Sequence, residues 1–113
     1  MRIAIVGSRT FDDYEFLKDV LSHYHPSTII SGGAKGADLL AKRYANENDI
    51  PLIEFFPDWD THGKAAGPIR NKQIVAEADE VIAFWDGVSR GTKSTVGFAK
   101  QVGKPVHVFW KTA

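Results

Sequence analysis

Two rhythms of apolar and polar positions take turns along this chain. Short runs rich in β-branched and aromatic residues, RIAIV, TII, LIEFF, VIAFW and VHVF, are separated by longer stretches in which apolar residues recur every three or four positions. The short runs predict strands at Arg2–Val6, Thr28–Ile30, Leu52–Phe56, Val81–Trp85 and Val106–Phe109. The longer stretches predict helices over Asp12–Tyr24, about Lys35–Asn48, from Pro68 onward, and about Thr92–Val102. Leu17, Val20, Leu21 and Tyr24 share one face of the first helix, and Ala37, Leu40, Ala41, Tyr44 and Ala45 one face of the second. Pro68 suits a first helical turn and leads to the inward-facing Ile74, Val75 and Ala78; Gly103 and Pro105 stop the last helix. Val81–Trp85 is almost continuously apolar, as expected of a strand covered on both faces.

Strand and helix alternate without repeat, linker or low-complexity tract. The pattern predicts an α/β, three-layer Rossmann-like fold: a five-stranded parallel sheet, order 3-2-1-4-5, with helices on both faces, in one domain spanning residues 1–113. The longest irregular segment is PDWDTHGKAAG, Pro57–Gly67, a candidate functional loop.

In such a sheet the loops leaving the C-terminal strand ends share one edge, where ligands bind at the switch in strand order. That edge receives GSRT after the first strand, SGGAKGAD after the second, DWDTHGKAAGPIRN after the third and DGVSRGTKST after the fourth. Arg9, Lys35, Lys64, Arg70, Lys72, Arg90 and Lys93 lie in or beside these loops, half of the 14 Lys and Arg residues. A positive, glycine-lined, hydroxyl-rich edge at helix N-termini is suited to phosphate. The candidate ligand contacts are Gly7, Ser8 and Arg9; Ser31, Gly32, Gly33, Lys35, Gly36 and Asp38; Trp59; Arg70 and Asn71; and Asp86, Ser89, Gly91, Thr92 and Lys93.

Each motif also has a plain reading. Gly32, Gly33 and Gly36 suit a tight turn, and Gly91 with Thr92, Ser94 and Thr95 suits helix capping. Asp38 is a capping carboxylate or a ligand contact. Trp59 and Trp85 are candidates to stack on a base, Trp85 equally to pack in the core. Asp58, Asp60 and His62 alternate as ligands of Mg²⁺ or another divalent ion would, or are solvated polars; no cofactor is required. No G-x-G-x-x-G follows the first strand, and in GVSRGTKS Thr92 stands where a P-loop has its second glycine, so neither a dehydrogenase nor a P-loop enzyme fits.

Lys and Arg balance Asp and Glu at 14 each, which leaves no footprint of non-specific nucleic-acid binding. The absence of cysteine removes disulfides and thiolate metal sites and fits a reducing compartment. No apolar run approaches membrane-spanning length, and MRIAIVGS lacks a signal-peptide core. The expectation is a cytoplasmic protein, complete from its first residue, with no membrane partner.

The order of GSR, SGGAKGAD, GPIRNKQIVAEAD and DGVSRGTKST resembles the SLOG superfamily, named for the DNA-processing protein A and Lonely Guy families, and in particular its small stand-alone YspA-like members. The likeness to Lonely Guy enzymes, which release a free base from nucleoside 5′-monophosphates, implies that Arg70 matches their upstream arginine and RGTKST their glycine-rich phosphate loop. Thr95 occupies the position of their catalytic glutamate, and a threonine cannot supply the carboxylate that stabilises an oxocarbenium-like centre or activates water. The likeness to DNA-processing proteins implies single-stranded DNA, a ligand ranked lower here because the chain has no long basic or aromatic track. Together these features predict a binding module for a nucleotide or nucleotide-derived ligand such as a nucleoside phosphate or an ADP-ribose-like molecule. The alternatives are a phosphoribohydrolase-like nucleotide N-glycosidase, with Arg70 and Asp38 as catalytic candidates and Asp60 or Asp86 as other carboxylates, and a single-stranded DNA-binding domain. The resemblance also implies self-association, with an apolar helix face available for a homodimer.

Overall fold

The computed structural model describes residues 1–110. Its elements are β1 (Arg2–Gly7), α1 (Tyr14–Ser22), β2 (Thr28–Ser31), α2 (Ala37–Glu47), β3 (Leu52–Glu54), α3 (Trp59–His62), a 3₁₀ turn (Gly63–Ala65), α4 (Ala66–Glu77), β4 (Glu80–Trp85), α5 (Arg90–Gln101) and β5 (Val106–Trp110). All strand pairs are parallel and the order is β3-β2-β1-β4-β5, as the alternation predicts.

The strand periodicity of two divides the core cleanly. Ile3, Ile5, Ile82 and Phe84 point to the face covered by α1 and α2, where they meet Leu17, Leu21, Ala41 and Tyr44. Ala4, Val6, Val81 and Ala83 point to the opposite face and meet Ile74, Val75, Val96 and Ala99 from α4 and α5. Among the described residues, no helix is long and apolar enough to cross a membrane.

Local chemistry moves several boundaries. Helix α1 starts at Tyr14 because the Asp13 side chain accepts the Phe16 N–H at 3.1 Å and so caps it. Helix α2 starts at Ala37, since Gly36 at φ 77°, ψ −128° cannot be helical. Strand β3 stops at Glu54 instead of Phe56, where its partner β2 ends at Ser31. The segment read as irregular is largely ordered into helix: Asp58 caps α3 by accepting the Thr61 N–H at 3.2 Å, Gly63 at φ 54° breaks it, and α4 begins at Ala66 with Pro68 in its first turn. At the far end of α4 the Lys104 ammonium donates to the Val75, Ala76 and Ala78 carbonyls at 2.6, 3.0 and 2.7 Å, fixing the helix that carries Arg70.

Candidate functional site

β1 lies between β2 and β4, so the connections from β1 and β4 diverge to opposite faces of the sheet and leave a crevice at their C-terminal ends. A cavity of about 430 Å³ opens there. Its floor is built around Ser8, which is buried. The Ser8 N–H donates to the Phe84 carbonyl at 2.9 Å and its Oγ accepts the Asp86 N–H at 3.0 Å, tying the β1 and β4 loops together.

Asp86 shapes the next turn. Its Oδ1 accepts the Val88 N–H at 2.8 Å and the Ser89 N–H at 3.1 Å, and these bonds, the Val88 bond foremost, hold its carboxyl below the usual range. Ser89 then caps α5: its Oγ accepts from the Thr92 N–H at 3.5 Å and the Thr92 hydroxyl at 3.1 Å. Trp85 steadies the turn from outside, donating from Nε1 to the Ser89 carbonyl at 3.1 Å while its ring stacks on Trp110 with centroids 5.1 Å apart. Arg90, Gly91 and Thr92 line the cavity, and the Arg90 and Gly91 N–H groups precede the first intrahelical bond. The positive end of α5 therefore faces the cavity, which Arg9 also lines, its backbone lying against Gly36.

The opposite wall holds Asp38, Arg70 and Asn71. Arg70 donates from Nη1 to the Gly32 carbonyl at 2.8 Å and from Nε to Asn71 Oδ1 at 3.0 Å, and the Asn71 amide reaches the Gly91 carbonyl at 3.4 Å. Burial, partly offset by Asp38 and reinforced by Arg9, lowers the Arg70 pKa from its ordinary value. Asp38 is 7% exposed and accepts the Ala34 N–H at 3.1 Å. Burial pushes its carboxyl up to about 6, against the opposing pull of the Ala34 bond and the Arg70 charge. A carboxyl that titrates near neutrality beside a guanidinium can accept a ligand hydroxyl when charged and donate when protonated.

Of the residues singled out in the sequence, Gly7, Ser8, Arg9, Asp38, Arg70, Asn71, Asp86, Ser89, Gly91 and Thr92 converge on this cavity. Ser31, Gly32, Gly33, Lys35, Gly36, Trp59 and Lys93 lie outside its lining. The glycines among them are explained by packing. A β-carbon at Gly32 would fall 2.5 Å from Arg70 Nη1 and 3.1 Å from Asp38 Oδ2, the Phe56 ring fills the space over Gly33, and the Ser8–Arg9 backbone lies against Gly36. Ser31 is buried behind them, and its Oγ accepts the Gly33 N–H at 3.4 Å. Trp59 sits on α3 beside Gly67, 57% exposed. Among the described residues no three His, Asp or Glu side chains gather as metal ligands; Asp58 is occupied as the cap of α3, and its Thr61 partner lowers its pKa. Three polar lining residues were not among the candidate contacts: Thr10, Arg90 and Thr95. Arg90 carried a signal, as the first residue of the helix after a Ser cap. The Thr95 hydroxyl donates back to the Gly91 carbonyl at 3.0 Å, so it braces the first turn of α5 at the position where a glutamate would project.

A model of the YspA, cpYpsA-related SLOG family matches residues 1–62, more than half of the chain. The chain belongs to this family. The matched segment contains the Gly7–Thr10 and Ser31–Asp38 loops and ends before Arg70 and the α5 cap. The Gene 61 protein of Mycobacterium phage D29 is 38% identical over 117 aligned positions, covering 93% of each chain. Among solved structures, DNA processing protein A from Helicobacter pylori, in work on its single-stranded DNA binding mode, superposes with a TM-score of 0.73 at 24% identity. That likeness, which is one of fold, covers 96% of this SLOG chain but only 64% of the Helicobacter protein.

Proposed function

We propose that the cavity binds a nucleotide or nucleotide-derived ligand such as a nucleoside phosphate or an ADP-ribose-like molecule. The observation that carries this reading is the meeting of the capped α5 N-terminus with Arg9 at the strand-order switch: free backbone N–H groups, the Thr92 hydroxyl and a guanidinium face one space of about 430 Å³. A phosphate sits at Ser89–Thr92, and Arg9 neutralises it. Asp38 and Asn71, on the other wall, take up sugar hydroxyls, and Arg70 holds that wall in place through the Gly32 carbonyl.

Titration calorimetry with nucleoside 5′-monophosphates and ADP-ribose tests the site. Arg9→Ala and Thr92→Ala are each expected to weaken binding by about 1–3 kcal/mol, the range for lost charge-assisted hydrogen bonds and for polar groups left unpaired. Unchanged affinity in both variants removes the proposed pocket.

A second reading has one specific observation in its favour. Asp38 combines burial, a pKa near 6 and a place beside Arg70, the properties of a general acid or base for N-glycosidic cleavage. Incubation of wild type and Asp38→Asn with nucleoside monophosphates and NAD, followed by chromatography for free base, distinguishes the two: base released by wild type alone makes the module an enzyme, and none released by either leaves it a binder.

A further inference from the structure

Asp38 and Arg70 are neighbours on one wall of the cavity, yet they are not joined. Both approach one point: a β-carbon at Gly32 would fall 2.5 Å from Arg70 Nη1 and 3.1 Å from Asp38 Oδ2. Neither belongs to any ion pair among the described residues. Arg70 donates instead to the Gly32 and Phe55 carbonyls and to Asn71 Oδ1, and Asp38 accepts the Ala34 N–H. A buried carboxylate is stabilised by a direct cationic partner, so a guanidinium held close but apart leaves the pair open to a group placed between them. Both residues line the cavity, and such a group enters from there.

The chemistry of that group follows from its two neighbours. It must accept from the guanidinium and donate to the carboxylate. An ionised phosphate oxygen only accepts and is repelled by Asp38, whereas a hydroxyl does both. A carboxylate with one oxygen held by the Ala34 N–H keeps lone pairs for two hydroxyl donors, so a pair of adjacent hydroxyls suits it better than one. The position of the pair fits a sugar joined to a phosphate. Asn71 lies between the two walls: its Oδ1 accepts from Arg70 Nε, and its amide reaches the Gly91 carbonyl in the first turn of α5 at 3.4 Å. One side chain thus separates the Arg70 guanidinium from the α5 N-terminus, the kind of spacing found between neighbouring groups of one nucleotide.

We propose that Asp38 and Arg70 clamp the cis-diol of a ribose and so make the site selective for ribonucleotides over deoxyribonucleotides. This deepens the nucleotide reading of the cavity and rests on it. Asp38 accepts from the 2′- and 3′-hydroxyls, and Arg70 donates to one of the same oxygens. Gly32 leaves the clamp its space, which any side chain there would fill. A 2′-deoxy ligand takes away one donor and leaves a buried charged acceptor short of a partner, the condition in which a missing hydroxyl weakens binding most.

The test is calorimetry with matched ligands, carried out well above the value of about 6 to which burial pushes Asp38, so that the carboxylate is the acceptor. One set is the four ribonucleoside 5′-monophosphates against their 2′-deoxy counterparts. The other is ribose 5-phosphate against 2-deoxyribose 5-phosphate, which needs no base. In wild type the ribo ligand of each pair should bind at least about tenfold tighter than its deoxy partner, the scale of one hydrogen bond to a charged group. Asp38→Asn keeps the shape of the side chain and removes its charge. It should cut that ratio to about threefold or less by weakening the ribo ligand, with the deoxy ligand little changed. Gly32→Ala, whose methyl meets both halves of the clamp, should lower the same ratio. Thr92→Ala, on the phosphate wall, should weaken both members of a pair alike. The ratio is read within one protein, so a general loss of fold cancels from it.

Deoxy ligands that bind wild type as tightly as ribo ligands, or a ratio that survives Asp38→Asn, overturn the clamp and leave the nucleotide reading of the cavity standing. Failure of every phosphorylated ligand to bind wild type overturns both.

Discussion

The loop between β2 and α2 and the loop between β4 and α5 leave the same sheet edge, and each offers glycines, a hydroxyl residue and a lysine. Gly87, at φ 86° beside the Trp110 ring, is packed like the glycines of the first loop, but Gly91, in the first turn of α5, does the opposite. At Gly32, Gly33 and Gly36 the space a side chain would take is already filled, by the Arg70 guanidinium, the Phe56 ring and the Ser8–Arg9 backbone, and two of the three have positive φ. At Gly91 nothing lies within 4 Å of where a β-carbon would stand, and the residue lines the cavity. A glycine required by its own fold says nothing about a ligand. One with empty space before it, at a helix N-terminus inside a cavity, leaves the space for something else.

The sharpest way to break this contrast is substitution at Gly36. At φ 77°, ψ −128°, its conformation is strained for any residue with a β-carbon, and the Ser8 and Arg9 backbone stands where that carbon would go. Adding the strain and the overpacking, Gly36→Ala should cost about 3–5 kcal/mol in urea unfolding. A loss below about 1 kcal/mol would mean that the β2–α2 loop can shift aside and that its glycines are not fixed by packing.

The packed loop reaches the cavity through Asp38, and here pH sharpens the comparison. Its carboxyl has an ordinary value of 3.8 and is pushed up to about 6 when folded, so between these values the folded protein holds a proton that the unfolded chain releases. Stability therefore falls as pH rises from about 4 through 6, and above 6 the charged carboxylate costs on the order of 3 kcal/mol. Asp38→Asn should recover most of that above pH 6 and nothing below pH 4, as followed by urea unfolding across this range. If Asp38 also holds a ligand hydroxyl, the same variant binds nucleotide more weakly, so stability and affinity move in opposite directions. A stability difference that is flat with pH sinks the assignment of a buried, destabilising carboxylate.

The sheet order was legible because runs such as VIAFW and RIAIV report burial on both faces, and the convergence of GSRT, GPIRN and SRGTKST on one edge follows from that order alone. The division of labour among the glycines was not legible. Whether Gly33 underlies an aromatic ring or a phosphate depends on Phe56, 23 positions away in the chain, and nothing in SGGAKG encodes that contact. Lys35, Lys93 and Trp59 were drawn toward the site by proximity in sequence, but the helical phase of α5 turns Lys93 to an open groove on the outer face of the helix, and the Asp58 cap winds DWDTH into α3 and carries Trp59 to the surface beside Gly67. The arginines followed the opposite course: Arg70 and Arg90 reach the cavity from α4 and α5, two residues after Pro68 in the first turn of α4 and one after the Ser89 cap of α5.

Gly91 supplies the smallest effect on the fold and the clearest test of the contrast. In the first turn of α5, alanine should stabilise the protein by about 0.4–1 kcal/mol, because the site has room and the unfolded chain loses freedom. If the space before Gly91 belongs to a phosphate, the added methyl occupies it, and Gly91→Ala should bind nucleoside phosphates at least tenfold more weakly while melting at a higher temperature. Gly36→Ala, by contrast, lowers the melting temperature without meeting the ligand directly. A Gly91→Ala protein that is both more stable and equally avid would place the phosphate elsewhere on the cavity wall, and the two glycine loops would then differ only in how the fold fills them.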